Sequence, residues 1–282
     1  MNYRHAFHAG NFADVMKHAL LVRILCYLQR KETPLRVIDT HAGIGLYDLT
    51  GDEAGRTGEW IDGIGRLDEP FAQNVEELLA PYRRVVSDVR ARHGQNTYPG
   101  SPAIIRELLR RQDKGVFVEL HPADNAVLSA RFNEVANLKV LHLDGWTALH
   151  ALIPPKEKRG LVLIDPPFEK PNELERLGTE ILAALRKWPT GVYAGWYPIK
   201  DAAPVDALFE RLQAECPRPG LRLELMVDDP RDPTRLNGSG LLIVNPYWTL
   251  REEAEILLPA LAERLSRQGY GAYRCEAFGP PA

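Results

Sequence analysis

Leu161-Val162-Leu163-Ile164-Asp165-Pro166-Pro167-Phe168 is an unbroken apolar run that ends on a carboxylate, two prolines and an aromatic ring. Its first four residues read as a short strand buried on both faces. The two prolines stop that strand, fix the backbone and remove two N–H donors, so carbonyl oxygens there can face a ligand unopposed. In open α/β sheets ligands collect outside the carboxyl ends of strands, and Asp165 falls at such an end.

Working outward, similar runs recur at Leu35–Asp39, Val116–Glu119, Leu138–Leu141, Val192–Ala194, Leu221–Leu225 and Leu241–Val244. Amphipathic stretches separate most of them. A helix from Phe12 to Arg30 is capped by Asn11, one begins at Pro122, and others cover Glu173–Lys187 and Val205–Ala214. The alternation predicts an α/β, Rossmann-like domain with a mostly parallel seven-stranded sheet covered on both faces. The last two runs follow one another without a helix, which predicts an antiparallel hairpin at one sheet edge.

One stretch breaks the rhythm. Residues 48–97 hold no good strand and include a helix over Val75–Arg92. A direct strand-to-helix connection takes about 2–6 residues, so 48–97 reads as an inserted helical subdomain. Residues 1–47 then supply the N-terminal arm, first helix and first strand, and 98–282 the remainder of the domain.

Bulk properties exclude several classes. The chain has 282 residues, 45% hydrophobic and 26% charged, with a net charge of −3. It is no basic nucleic-acid coat, so any nucleic-acid contact must come from a local patch. Three scattered cysteines form no zinc-ligand spacing, and no metal is expected. The start lacks a signal-peptide core, and Ala19–Leu28 is too short to span a bilayer. A cytoplasmic protein is expected.

Four strand ends carry the chemistry. Asp39-Thr40-His41-Ala42-Gly43-Ile44-Gly45 is a glycine turn without a phosphate-binding lysine, which suits a phosphate-free adenosine ligand such as S-adenosylmethionine. Glu119 ends the second core strand, where a carboxylate can accept both ribose hydroxyls once the insertion is subtracted from the spacing. Asp144-Gly145 can accept an adenine amino group and leave room for the ring; a helix N-cap is the equal alternative. At Asp165-Pro166-Pro167-Phe168, Asp165 and the Pro166 carbonyl can each accept one N–H of an exocyclic amine, and Phe168 can stack on an extruded base. Asn245-Pro246-Tyr247-Trp248 imitates this tetrapeptide but lacks the second proline and follows the final predicted strand at the sheet edge, so it reads as structural. Tyr3-Arg4-His5-Ala6-Phe7-His8-Ala9-Gly10-Asn11 interleaves rings and cations as a base- and phosphate-contacting arm would, with Lys17 and His18 continuing it. Arg83, Arg84, Arg90, Arg92 and His93 form a candidate phosphate-binding face on the insertion.

With those residues in place, the sequence resembles the J-type family of bacterial 23S ribosomal RNA adenine-N6 methyltransferases. The opening Tyr-Arg-His-x-Phe-His-Ala-Gly-Asn carries the resemblance, with Ala13-Asp14-Val15-x-Lys17-His18, Asp39–Gly43, Arg56-Thr57-Gly58-Glu59, Tyr98–Pro102, Glu119–Pro122, Ile164–Pro167, Trp196-Tyr197-Pro198 and the Ser239-Gly240 strand. The resemblance implies a monomer that uses S-adenosylmethionine to methylate N6 of one adenine in protein-poor 23S rRNA. It implies cofactor contacts by His18, His41, Ser101, Glu119, Asp144, Gly145 and Asp165. It also implies a substrate contact by Tyr3, and a catalytic Asp165 that touches the target amine. The family often has tyrosine where this chain has Phe168. Two rivals stand beside it. One is a DNA adenine-N6 methyltransferase, which shares the core motifs; the other is a catalytically dead RNA-binding fold.

Overall fold

A computed structural model describes residues 4–229 and 234–281. In chain order the elements are α1 (Phe12–Leu28), β1 (Arg36–Asp39), β2 (Leu46–Asp48), α2 (Asp52–Thr57), α3 (Gln73–His93), β3 (Thr97–Pro99), α4 (Ser101–Leu108), β4 (Lys114–Glu119), α5 (Pro122–Phe132), β5 (Leu138–His142), α6 (Gly145–Ala151), β6 (Gly160–Ile164), α7 (Glu173–Lys187), β7 (Val192–Ile199), α8 (Ala202–Glu215), β8 (Gly220–Met226), β9 (Gly238–Val244), α9 (Leu250–Leu265) and β10 (Ala272–Phe278). Single 3₁₀ turns lie at His5–Phe7 and Ile64–Leu67.

Eight strands form the main sheet in the order β10-β8-β9-β7-β6-β1-β4-β5. The run β7-β6-β1-β4-β5 is parallel, while β9 is antiparallel to β7 and β8, and β10 to β8. Alternation explains the continuous apolar strands. Val37, Leu161 and Leu163 enter one core with α1, α4 and α9. Ile38, Val162 and Ile164 enter a second core with α7 and α8 on the other face. Helix α1 is buried over most of its surface because it is a core helix, packed on β9, α3, α4 and α9. Asn11 caps it by accepting the Asp14 N–H.

Two expectations need correction. The sheet has eight strands rather than seven, because β10 adds an outer strand. Most of β10 is partly or fully exposed, so it lacks the buried apolar run by which the other strands were recognised. The expected antiparallel edge is present, with β10 lying outside the β8–β9 hairpin and β9 between β7 and β8. Asn245-Pro246-Tyr247-Trp248 therefore follows an interior strand. Since β9 is antiparallel to β7, pairing Val244 with Tyr193, the tetrapeptide lies at the end of the sheet opposite Asp165.

The chain between β1 and β4 also holds two short strands. β2 and β3 pair antiparallel with Tyr47 opposite Tyr98, and α2 and α3 lie between them in sequence. The buried face of α3, Val75, Leu79, Tyr82, Val85 and Val86, joins the same core as α1.

Candidate active site

Strand β1 lies between β4 and β6, so the chain leaves it to one side and returns on the other. That reversal is the topological switch point, where the flanking connections diverge and open a crevice. Asp39 and Asp165 end the two strands that border it.

Two cavities of about 270 and 480 Å³ open there and share the walls His5, Lys17, Asp165 and Pro167. His18, His41, Ser101, Glu119, Asp144, Gly145 and Asp165, picked from different parts of the sequence, all line the first. Phe168 lines the second. Tyr3 lies outside the described residues.

The first cavity is built by backbone donors and close approaches. Glu119 accepts the Gly43 N–H at 2.8 Å through Oε2 and the His121 N–H at 2.7 Å through Oε1, which ties the glycine turn to the end of β4. Burial pushes its carboxyl above the ordinary value. Gly43 takes φ +60, and a Cβ there would stand 2.3 Å from the Tyr47 hydroxyl. A Cβ on Gly145 would stand 2.3 Å from the Thr40 carbonyl oxygen and 2.6 Å from His41 Nε2, so only glycine lets α6 start this close to the turn. Asp144 does cap α6, accepting the Thr147 N–H at 2.8 Å, and also lines the cavity. Trp146 meets the His41 ring edge-on at 5.4 Å, with the Arg176 guanidinium 4.8 Å from its face.

Burial holds both histidines neutral, His18 at about 3 and His41 at about 4. His18 Nδ1 lies 2.8 Å from the Tyr98 hydroxyl, itself 2.9 Å from that of Tyr82. Asp39 is fully buried, beside Ser101 and the His41 N–H, and its Oδ2 has no hydrogen-bond partner. Burial raises its carboxyl to about 7. It lies beneath the wall of the first cavity, behind Ser101 and the glycine turn.

The second cavity has an aromatic wall. Phe168 meets Trp196 edge-on at 5.6 Å, and Trp196 Nε1 donates to Ser239 Oγ at 2.8 Å. Phe168 adopts φ +52, a left-handed conformation that a bulky side chain rarely takes. Lys200 and Pro198 complete the wall away from Asp165.

Residue-by-residue reading of the sequence missed the partition between the cavities. Lys17 Nζ stands 2.5 Å from Asp165 Oδ2 and 2.9 Å from Asp14 Oδ1. Burial works to lower the lysine's pKa, but the two carboxylates outweigh it and hold the ammonium charged. The available signal was Asp14, Lys17 and His18 inside an otherwise apolar helix, a pattern that demands partners from elsewhere in the fold.

The arm is strapped down by the segment after β2. Arg4 bridges Glu53 and Asp124 at 3.0 and 3.3 Å. Glu59 takes both His8 and the Asn11 side chain at 3.0 Å, and Thr57 donates to the Phe7 carbonyl at 2.5 Å. Arg83 and Arg92, read as phosphate-facing, are occupied by protein: Arg83 by Leu67 O and Glu76, Arg92 by Asp88 O and Glu107.

The family model described as ribosomal RNA large subunit methyltransferase D, RlmJ, matches residues 32–277. A protein named Ribosomal RNA large subunit methyltransferase J in Haemophilus influenzae is 37% identical over 281 residues, covering 99% of each chain. One of the same name in Escherichia coli K12 is 37% identical over 271 residues, covering 96% of each. The crystal structure of a Legionella pneumophila protein superposes with a TM-score of 0.85 at 33% identity, over 96% of this chain and 98% of that one.

Proposed function

This chain belongs to the RlmJ family of ribosomal RNA large subunit methyltransferases, and from that premise we propose that it methylates N6 of a specific adenine in 23S rRNA at the partition between its two cavities. The observation that carries this is the shared wall: one carboxylate, Asp165, faces both a chamber lined by Glu119, Asp144 and Gly145 and a chamber lined by aromatic rings.

S-Adenosylmethionine fits the first chamber. Glu119 would hold the ribose hydroxyls, Asp144 and Gly145 the adenine, and Ser101 with the neutral His18 and His41 the amino-acid end. Bound there, it supplies a methyl group activated on a sulfonium.

The second chamber takes the base. Phe168 and Trp196 offer faces and edges for an adenine drawn out of its stack, an extrusion that costs a few kcal/mol. The amine of adenine is a weak nucleophile because its lone pair is delocalised into the ring. Asp165 and the Pro166 carbonyl each accept one N–H, which turns the nitrogen lone pair toward the cofactor chamber. As the N–C bond forms and the methyl–sulfur bond breaks, positive charge grows on the nitrogen and Asp165 stabilises it. The resulting cationic amine is a strong acid and gives its proton to water, so Asp165 orients and stabilises rather than acting as a strong base. Lys17 pairs with Asp165 until the amine arrives.

The same reading has the protein acting as a monomer on protein-poor rRNA in the cytoplasm. No helix among the described residues is long and apolar enough to cross a membrane. The test is methyl incorporation from labelled S-adenosylmethionine into protein-free 23S rRNA and into duplex DNA, with cofactor affinity measured in parallel. Incorporation into the RNA alone is expected. Incorporation into DNA alone would favour the DNA methyltransferase, and absence of cofactor binding would favour a dead fold.

A further inference from the structure

The first two turns of α1 hold three ionisable side chains that are almost completely buried: Asp14 and His18 at 1% exposure and Lys17 at 4%. A buried charge costs several kcal/mol unless it is paired and hydrogen-bonded. Asp14 is the hub of the pairing. Its Oδ2 accepts from His5 Nε2 at 3.0 Å and from the Gly10 N–H at 2.9 Å, so it anchors the arm. Its Oδ1 faces the Lys17 ammonium at 2.9 Å, with His18 Nε2 at 3.8 Å. The facing His5 ring and the Lys17 ammonium overcome the cost of burial and keep the carboxyl well below its ordinary pKa.

The ammonium therefore sits between two carboxylates with different surroundings. Asp165 reaches the partition and is 15% exposed, whereas Asp14 is sealed behind the lysine. Resting contact with Asp165 is the shorter, 2.5 against 2.9 Å. The ammonium holds Asp165 Oδ2, so an incoming amino group that bonds to this oxygen displaces it. The lysine cannot simply withdraw into the apolar core, because an unpaired ammonium there is prohibitively costly. Its other neighbour is the Trp196 ring, 5.9 Å away, which offers only a weak cation–π contact. Asp14 is the other carboxylate already within ion-pair distance of the ammonium.

We propose that Asp14 is a positioning residue for methyl transfer, the second berth that takes up the Lys17 ammonium when the substrate amine claims Asp165. The proposal rests on the reading of the partition as the methyl-transfer centre. It explains why one carboxylate holds both the arm and the lysine: a docked arm, through His5 and Gly10, fixes the berth before the lysine moves.

The test is a double-mutant cycle on the full chain with Asp14→Asn and Lys17→Met, read by single-turnover methylation of protein-free 23S rRNA at saturating S-adenosylmethionine. Asp14→Asn alone is expected to slow transfer roughly ten- to hundred-fold while cofactor affinity changes less than about threefold. On top of Lys17→Met the same change is expected to cost less than about threefold, because the group it positions is gone. A full repeat of the loss in the Lys17→Met background, with cofactor affinity falling alongside, would mean that Asp14 merely holds the fold and would overturn the proposal. Should Asp14→Asn not melt cooperatively, a crystal structure of the unaltered protein with S-adenosylhomocysteine and adenosine decides. Lys17 Nζ is expected to stay on Asp14 and to leave Asp165. An ammonium that stays on Asp165, or that departs from Asp14, overturns it. Failure of the unaltered protein to bind S-adenosylmethionine would instead remove the parent reading, and the cofactor titration reports that separately.

Discussion

Replacing Asp165 by Asn keeps the side chain's shape but removes its charge and half of its acceptors. Methylation is expected to fall by about a hundredfold or more, while S-adenosylmethionine affinity by calorimetry stays within a few-fold. Equal losses in both would make Asp165 a structural residue of the cofactor chamber. Phe168→Ala should remove one stacking face, worth about 1–3 kcal/mol. That loss should appear as a raised KM for rRNA rather than a lowered cofactor affinity, and Phe168→Tyr should restore it. At this scale much was legible. Asp165, Glu119 and the Gly43 turn each end a strand or follow one, and strand ends can be read from apolar runs. Asp14 and Asp39 were quoted in motifs without a role of their own, and Lys17 only as a continuation of the arm, because its partner Asp165 lies 148 positions away. No local pattern encodes that meeting.

Among the elements, the arm and the segment after β2 depend on each other. Glu59 fastens His8 and Asn11, and His8 in turn is raised from its ordinary pKa chiefly by that bond. Glu59→Gln should loosen the arm by about 1 kcal/mol per weakened hydrogen bond. Amide exchange over residues 4–11 should quicken, and KM for rRNA should rise several-fold, with little change in the melting of the sheet. Unchanged exchange would show that Arg4, Thr57 and the Gly10 carbonyl hold the arm without it. The sequence signalled this segment as a departure from strand–helix rhythm, and the periodicity of α3 was plain. What it could not show was that α3 shares its apolar face with α1, since an amphipathic stripe does not name its partner. Strand β10 escaped for the complementary reason: an edge strand with little buried surface carries no apolar run.

For the molecule as a whole, pH sets competing demands on the buried site. His18 and His41 are held neutral, at about 3 and 4 against an unfolded value of 6.5. Their lowered values give stability that is complete above 6.5 and is lost as the pH falls toward 4, because the unfolded chain then binds protons that the folded one refuses. Asp39 works the other way. Its value of about 7 against 3.8 makes the folded state hold a proton, so its contribution falls as pH rises from about 4 to 7. Two histidines against one carboxyl leave a net loss on acidification between 6.5 and 4, on the order of 1 kcal/mol per pH unit and reduced by the raised Glu119 and His8. Denaturant melts at pH 5 and pH 7 check this, and His41→Asn should flatten the difference; greater stability at pH 5 would contradict it. A net charge of −3 leaves no global field for nucleic acid, and the proposed function assigns recognition to the arm and the rim of the second chamber.

The most direct measurement is mass mapping of protein-free 23S rRNA after incubation with S-adenosylmethionine and either the unaltered protein or Asp165→Asn. The account predicts a single fragment heavier by one methyl, which digests to N6-methyladenosine and is absent with the variant. A methyl group on any other atom, or an undiminished product from Asp165→Asn, would contradict it.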